Sequence, residues 1–239
     1  MSGTAAIWHD VECGSYGADL ELWEELAREA GGPVLELGCG TGRVVLHLAR
    51  RGFETVGLDH DPELIAALAE RAEGLPVRPH LADAREFRLY GEIALALAPT
   101  QMIQLLPDPE ARIACLRNVS SALRPGGRFA AAILEDMPEP DGSRPPLPDV
   151  REVDGWVYSS LAVEAAVGPG EIVVHRLRHT VSPDGELVEE PNQVRIATFS
   201  ADQFEQEAAD AGLRPLRRQE IPATDLHVGS LAVVFEKEG

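Results

Sequence analysis

The chain has 239 residues, with 40 Asp or Glu against 21 Lys or Arg and a net charge of -19. That length holds one large domain with a sizeable core. Such an acidic balance, with Lys237 the single lysine, argues against nucleic-acid binding, which relies on basic side chains neutralising phosphates.

Cys13, Cys39 and Cys115 stand at no ligand-like spacing, so neither a disulfide framework nor a zinc site is implied and no metal is expected. No basic-plus-apolar leader or membrane-length apolar run is visible. A cytoplasmic location without a membrane partner is therefore the expectation.

Met1 to Gly17 shows weak periodicity but carries Trp8, Tyr16 and a Gly14-x-x-Gly17 spacing. It reads as a loosely packed arm or as a lid over an apolar pocket. Leu20, Trp23, Leu26 and Ala27 recur at helical spacing, and Gly31-Gly32-Pro33 ends that helix. From Pro33 to Val44 an apolar run meets three alternate glycines, Gly38, Gly40 and Gly42, and then a helical pattern. This is strand, tight loop and helix, with glycines that let the backbone approach a ligand a Cβ would push away. Val44, Val45, Leu48 and Ala49 give the helix its buried stripe up to Gly52, and Glu54 to Asp59 reads as a second strand.

Asp61-Pro62-Glu63 supplies N-cap, N1 proline and first-turn acid for a third helix bearing Leu64, Ile65, Leu68 and Ala69. The neighbouring Asp59 is then free for a ligand, with His60 beside it or merely exposed. Val77 to Leu81 is a short strand placed near an edge by Pro79, and Ala82-Asp83-Ala84-Arg85 follows. Ile93 to Thr100 is apolar almost throughout, as a central parallel strand requires. Asp108 and Pro109 start a helix with Ile113, Leu116, Val119 and Leu123 on its apolar face. Leu123-Arg124-Pro125-Gly126-Gly127 stops it before a strand from Phe129 to Leu134.

Glu135 to Asp154 reads as a loop. Trp156–Ala165, Glu171–Val181 and Glu186–Phe199 are then β-branched, alternating runs parted by Gly168-Pro169-Gly170 and Ser182-Pro183-Asp184-Gly185, which predicts a three-stranded antiparallel meander. In the middle run His175 and His179 share one face, and Arg176 and Arg178 the other. Either face could pack and leave the other solvated, or present a histidine or an arginine fork to a substrate. Ser200 to Gln203 forms a capping box before Phe204, Ala208 and Ala211, and Leu213–Glu220 and Leu231–Phe235 are the last two strands.

Glu36-x-Gly38-x-Gly40-x-Gly42 resembles the first motif of the class I S-adenosylmethionine-dependent methyltransferases. Asp83 stands where the third motif of that family has an acid, and Leu123 to Gly127 resembles its L-[RK]-P-G-G signature; the resemblance covers Pro33 to Leu134. A nicotinamide fingerprint would have its third glycine where Arg43 stands, which disfavours the enzyme alternative, a nicotinamide-dependent oxidoreductase on the same fold; a non-catalytic S-adenosylmethionine-binding regulatory protein is the other alternative. Two departures stand out: Ala94 occupies a place where the family frequently has Asp, and Ala98-Pro99-Thr100-Gln101 lacks the Asp/Asn-Pro-Pro-aromatic sequence of methyltransferases acting on bases and glutamine.

The resemblance implies an α/β Rossmann-like, doubly wound and mostly parallel sheet with an antiparallel edge hairpin and the inserted three-stranded meander. One domain, 1–239, would comprise an N-terminal lid and helix (1–32), a cofactor-binding core (33–134), a substrate-side loop and meander (135–199) and a C-terminal helix with edge strands (200–239). It implies S-adenosylmethionine as cofactor, leaving as S-adenosylhomocysteine, held by Tyr16, Glu36, Gly38, Cys39, Gly40, Gly42, Asp59, His60, Asp83, Ala84 and Ala98. Methyl transfer to a small-molecule amine or hydroxyl is an in-line displacement governed by proximity and desolvation. Thr100, Trp156, Arg176 and Arg178 are the expected acceptor-side residues. Tyr16, His175 and His179 are the catalytic candidates, with His227 a further imidazole able to take a proton. A monomer or homodimer is expected.

Overall fold

The computed structural model describes residues 4–137, 147–224 and 227–238. Two helices, α1 (Thr4–Cys13) and α2 (Leu20–Ala30), precede the first strand, β1 (Val34–Leu37). Then β1, β2 (Thr55–Asp59), β3 (Val77–Leu81), β4 (Ile93–Ala98) and β5 (Leu123–Ile133) are joined through α3 (Arg43–Ala49), α4 (Pro62–Arg71) and α5 (Pro109–Ala122), with a 3₁₀ turn at Met102–Leu105 after β4. A second group of strands follows, β6 (Asp149–Val153), β7 (Trp156–Gly168), β8 (Glu171–Val181) and β9 (Leu187–Ala197). The chain closes with α6 (Ala201–Ala209), β10 (Leu213–Ile221) and β11 (Ser230–Lys237).

The main sheet runs β10-β11-β5-β4-β1-β2-β3. Its five strands from β5 to β3 are mutually parallel, and β11 is antiparallel to both β5 and β10. Strand order reverses between β1 and β4, and a ligand crevice opens outside the carboxyl ends of the strands at such a reversal. Residues of β1 and β4 are buried on both faces, so alternate side chains feed two cores. Leu35 and Leu37 pack with Leu116, Val119, Phe129, Phe204 and Phe235, while Val34, Leu95 and Leu97 pack with Trp23, Leu26, Val44 and Leu48.

The inserted sheet has four strands in the order β6-β7-β8-β9, all antiparallel. The meander read from the sequence is present, with β6 added from the end of the segment expected to be a loop. Its signal is Asp154-Gly155, both at positive φ (53° and 82°) in the tight turn that folds Asp149–Val153 back on β7; a two-residue Asp-Gly turn matches the twist of a hairpin. Residues 138–146 of that segment lie outside the described residues. The N-terminal stretch, whose periodicity is weak, is a helix with Ala6, Trp8, Asp10 and Val11 buried. No helix among the described residues is long and apolar enough to cross a membrane.

Phe204 is fully buried, edge-on to Phe235 at 5.3 Å and to Phe129 at 6.4 Å between ring centroids. Phe204→Ala is expected to lower the unfolding free energy by about 3–5 kcal/mol in urea titrations, because Phe129 and Phe235 cannot collapse into the space left.

Candidate active site

The turn from β1 into α3 is shaped by glycine. Gly38 and Gly40 have φ of 61° and 54°, which L side chains rarely adopt, and a Cβ at Gly38 would come within 2.6 Å of Met102. The N-cap of α3 is Gly42, which has no side chain with which to satisfy the first-turn N–H groups. Glu36 does so from the strand: its Oε2 accepts the Val45 N–H at 2.8 Å. The carboxyl is buried, and that desolvation pushes its pKa up to about 8, against the opposing charge of Arg43 and the Val45 hydrogen bond. Glu36 thus props the loop from behind rather than facing the cleft.

Asp59, at the end of β2, accepts the Gly40 N–H at Oδ2 (2.9 Å) and the Asp61 N–H at Oδ1 (3.0 Å). It remains on the wall of the cleft, so it has a structural role that its place in the sequence did not reveal. Asp61 caps α4 through the Glu63 and Leu64 N–H groups, as expected. Asp83 is gripped by Arg85, whose Nε and Nη2 donate to its two oxygens at 2.9 and 2.6 Å. These bonds hold its carboxyl down to about 2.

The cleft has a volume of about 440 Å³. Gly38, Asp59, His60, Asp83, Ala84 and Thr100 line it, together with apolar Leu58, Leu64, Met102, Leu105 and Leu106. His9, Cys13 and Arg85 line it as well, and none of the three stood out in the sequence; the weak pattern of α1 concealed the first two. Thr100 and Gln101, directly after β4, are non-glycine residues at φ of 47° and 59°. Backbone strain of this kind gathers at functional sites and is held by surrounding structure. Here the holder is buried Gln104, whose amide donates to the Leu134 and Ala197 carbonyls at 2.9 and 2.6 Å and accepts the Leu134 N–H at 2.6 Å.

Other expected site residues stand elsewhere. Cys39 is buried beside Gly57 and packs with Leu68 behind the loop, and burial raises its thiol far above the usual range. Ala98 is fully enclosed in the core, because β4 is covered on both faces. Gly40 and Gly42 form the loop without being among the lining residues. Tyr16 is not among the lining residues: its N–H is given to the carbonyl of Cys13 at 3.3 Å, its ring lies 4.8 Å from that of His227 and 5.1 Å from the Arg43 guanidinium, and burial raises its pKa.

On the inserted sheet, Arg178 is already committed. Its fork closes on Glu12 at 2.8 and 2.9 Å, and it lies over the Trp8 ring at 4.8 Å, which docks α1 rather than leaving a guanidinium for an acidic substrate. Arg176 reaches Ser160 Oγ at 3.3 Å and Asp149 at 3.6 Å. His175 and His179 point from the opposite face of β8, and His179 meets Glu189 at 2.9 Å across the strands; that face is turned away from α1 and the cleft, so neither histidine is placed as a base. Trp156 is exposed at the hairpin end, paired with Val153. His227 has the position the other two lack. It sits beside Tyr16 with Asp149 and Arg176 as charged neighbours, and burial lowers its pKa below 6.5. Asp149 is raised by burial, against Arg176 and His227. Cys13 connects this group to the cleft, since it lines the cleft and feels Glu12, Asp149 and Arg176.

Residues 34–127 match the family described as Methyltransferase domain. Over that stretch the chain is similar to the class I S-adenosylmethionine-dependent methyltransferases. Among curated relatives it is 31% identical over 143 residues to the ubiquinone biosynthesis O-methyltransferase of Psychrobacter arcticus, covering 56% of this chain and 52% of that one. It is 30% identical over 122 residues to the cypemycin N-terminal methyltransferase of a Streptomyces species, covering 51% and 49%. The chain thus spans about half the length of the curated relatives it matches. In fold it is similar to the sugar N-methyltransferase of a Streptoalloteichus species, with a TM-score of 0.78 at 19% identity over 100% of this chain and 94% of that one. It is likewise similar to a S-adenosylmethionine-bound amino pentose methyltransferase of Micromonospora echinaspora, with a TM-score of 0.73 at 18% identity over 97% and 96%.

The cleft fits S-adenosylmethionine in its chemistry: the Asp59 and Asp83 carboxylates stand at the β2 and β3 ends and apolar side chains flank them, while the loop glycines make room for Met102, His9 and Leu68. Removing the Asp59 carboxylate takes an acceptor from both the loop and the cleft, so Asp59→Ala is expected to weaken S-adenosylhomocysteine binding by about 10-fold or more in calorimetry, with an unchanged circular dichroism spectrum. Glu36 gives a pH signature. Its folded pKa of about 8 exceeds the ordinary 4.5, so the folded state retains a proton that the unfolded chain releases, and stability declines as pH rises from 4.5 towards 8. Glu36→Gln keeps an oxygen for the Val45 N–H and does not titrate. Urea midpoints of the wild type should therefore fall relative to the variant's across that window.

Proposed function

We propose that this methyltransferase transfers the methyl group of S-adenosylmethionine to an amine nitrogen of a small molecule. The observation that carries the reading is the grouping of Tyr16, His227, Asp149 and Arg176, which Cys13 of the cleft wall adjoins. Similarity of fold to a sugar N-methyltransferase and an amino pentose methyltransferase supports the same acceptor class, whereas the ubiquinone relative favours a hydroxyl. Gly38, Asp59, His60, Asp83 and Ala84 would line the cofactor, with Gly40 and Gly42 shaping the loop beneath it.

S-adenosylmethionine supplies an electrophilic methyl on a sulfonium; the protein's task is to align a lone pair with it and keep water out. An amine arrives protonated. Asp149, whose pKa burial raises against the pull of Arg176 and His227, attracts the ammonium as a carboxylate. His227, kept neutral by its own burial, accepts the proton that must leave before nitrogen can attack. Tyr16 packs against that imidazole and orients it. Thr100, on the strained backbone after β4, lines the cleft.

Release of S-adenosylhomocysteine is expected with small primary or secondary amines in a panel that also contains phenols and carboxylates. Turnover of phenols alone would replace the amine reading with O-methylation, and binding of NAD without binding of S-adenosylmethionine would overturn both. His227→Asn is expected to lower kcat about 100-fold while leaving S-adenosylhomocysteine affinity unchanged. Because imidazole must be neutral to accept the proton, wild-type kcat/KM should rise with pH through a limb below 6.5, and this limb should be missing from the variant.

A further inference from the structure

Two contacts at one hydroxyl decide the protonation of His9. The Thr41 hydroxyl has a single proton, and it points to Asp10 Oδ1 at 2.6 Å. Asp10 can only accept, because Arg71 grips it as a carboxylate at 2.9 and 2.6 Å and Arg151 lies 3.0 Å away. His9 Nδ1 is 3.2 Å from the same Thr41 oxygen. A hydrogen bond there requires the imidazole to donate through Nδ1–H.

Burial keeps His9 neutral, outweighing the pull of Asp10 and Asp59, while Arg43 and Arg71 push the same way as burial. A neutral ring protonated at Nδ1 carries its lone pair at Nε2. That nitrogen lies over the middle glycine of the loop, where a Cβ on Gly40 would overlap it, and His9 is on the cleft wall. No donor to Nε2 is found among the described residues. The Gly40 N–H is already given to Asp59.

We propose that His9 Nε2 accepts a hydrogen bond from bound S-adenosylmethionine, given by its α-ammonium or by a ribose hydroxyl. Asp10 and Thr41 are positioning residues in this arrangement: they fix the tautomer, and Arg71 fixes them. Helix α1 is thereby part of the cofactor site, not only a cover over it. The inference rests on the reading of the cleft as a S-adenosylmethionine site.

The test is calorimetric titration of S-adenosylhomocysteine into the wild type, His9→Asn and His9→Gln. Asparagine places its amide near the Nδ1 position and can keep the Thr41 contact, whereas glutamine reaches the Nε2 position with an acceptor oxygen. His9→Asn should weaken binding by about 10-fold or more, and His9→Gln should recover most of the loss. Equal weakening in both variants, which a packing role predicts, would overturn the inference, as would wild-type affinity in His9→Asn. A wild type that does not bind S-adenosylhomocysteine would remove the site reading and the inference together; binding with equal affinities would remove the inference alone. Repeating the series with 5′-methylthioadenosine, which keeps the ribose and lacks the amino acid, assigns the donor. A loss that persists belongs to a ribose hydroxyl, and one that disappears belongs to the α-ammonium.

Discussion

The β1–α3 turn must satisfy its backbone without side chains of its own. Glycines supply the left-handed conformations and the Gly42 N–H is given to the Cys39 carbonyl, but the Gly40 and Val45 N–H groups need acceptors from outside the turn. Two strand-end carboxylates provide them: Glu36 to Val45 and Asp59 to Gly40. A buried N–H left without a partner costs roughly 1–3 kcal/mol, a substantial share of a domain's net stability. The two acids that a ligand-centred view would give to the cofactor are therefore first the supports of the loop that receives it.

Everything on the acceptor side is then referred to that loop through α1. One end of the link is Asp10, held by Thr41 of the loop and by Arg71 of α4. Burial opposes its charge, yet the Arg71 and Thr41 hydrogen bonds win and its pKa is lowered. Two residues further along, Glu12 holds Arg178 and Ser160 of the inserted sheet, and Trp8 stands edge-on to Tyr158 at 5.4 Å. The inserted sheet is tied a second time by Gln104, which joins the end of β5 to the end of β9. Buried polar links of this kind are specific because each partner left unpaired would be costly. They fix α1 and the inserted sheet against the glycine loop and the cleft.

Local signals in the chain carried a great deal. Alternate glycines, the Asp61-Pro62-Glu63 cap, the Ser200–Gln203 box and the unbroken apolar run of β4 each act within a few residues, and each element formed where its signal lay. The Asp154-Gly155 turn was equally local, but the strand before it holds only Val150 and Val153 among charges, so its alternation is faint until pairing with β7 supplies the reason for it. Helix α1 is hidden for a related cause. Its buried face includes Asp10, and a charge on an inward face erases the apolar pattern that marks a helix.

By itself, the sequence determined the parallel sheet, the glycine loop and the acids at the ends of β1, β2 and β3, because these depend on periodicity and on residue types at fixed short spacing. Tertiary structure alone decided which side chains share the site. Arg178 and His179 differ by one position on β8, yet one is bound to α1 and the other faces away, since strand alternation gives two faces but not which is covered. His9, Asp149 and His227 lie far apart along the chain, and only folding brings them beside Cys13, Tyr16 and the loop.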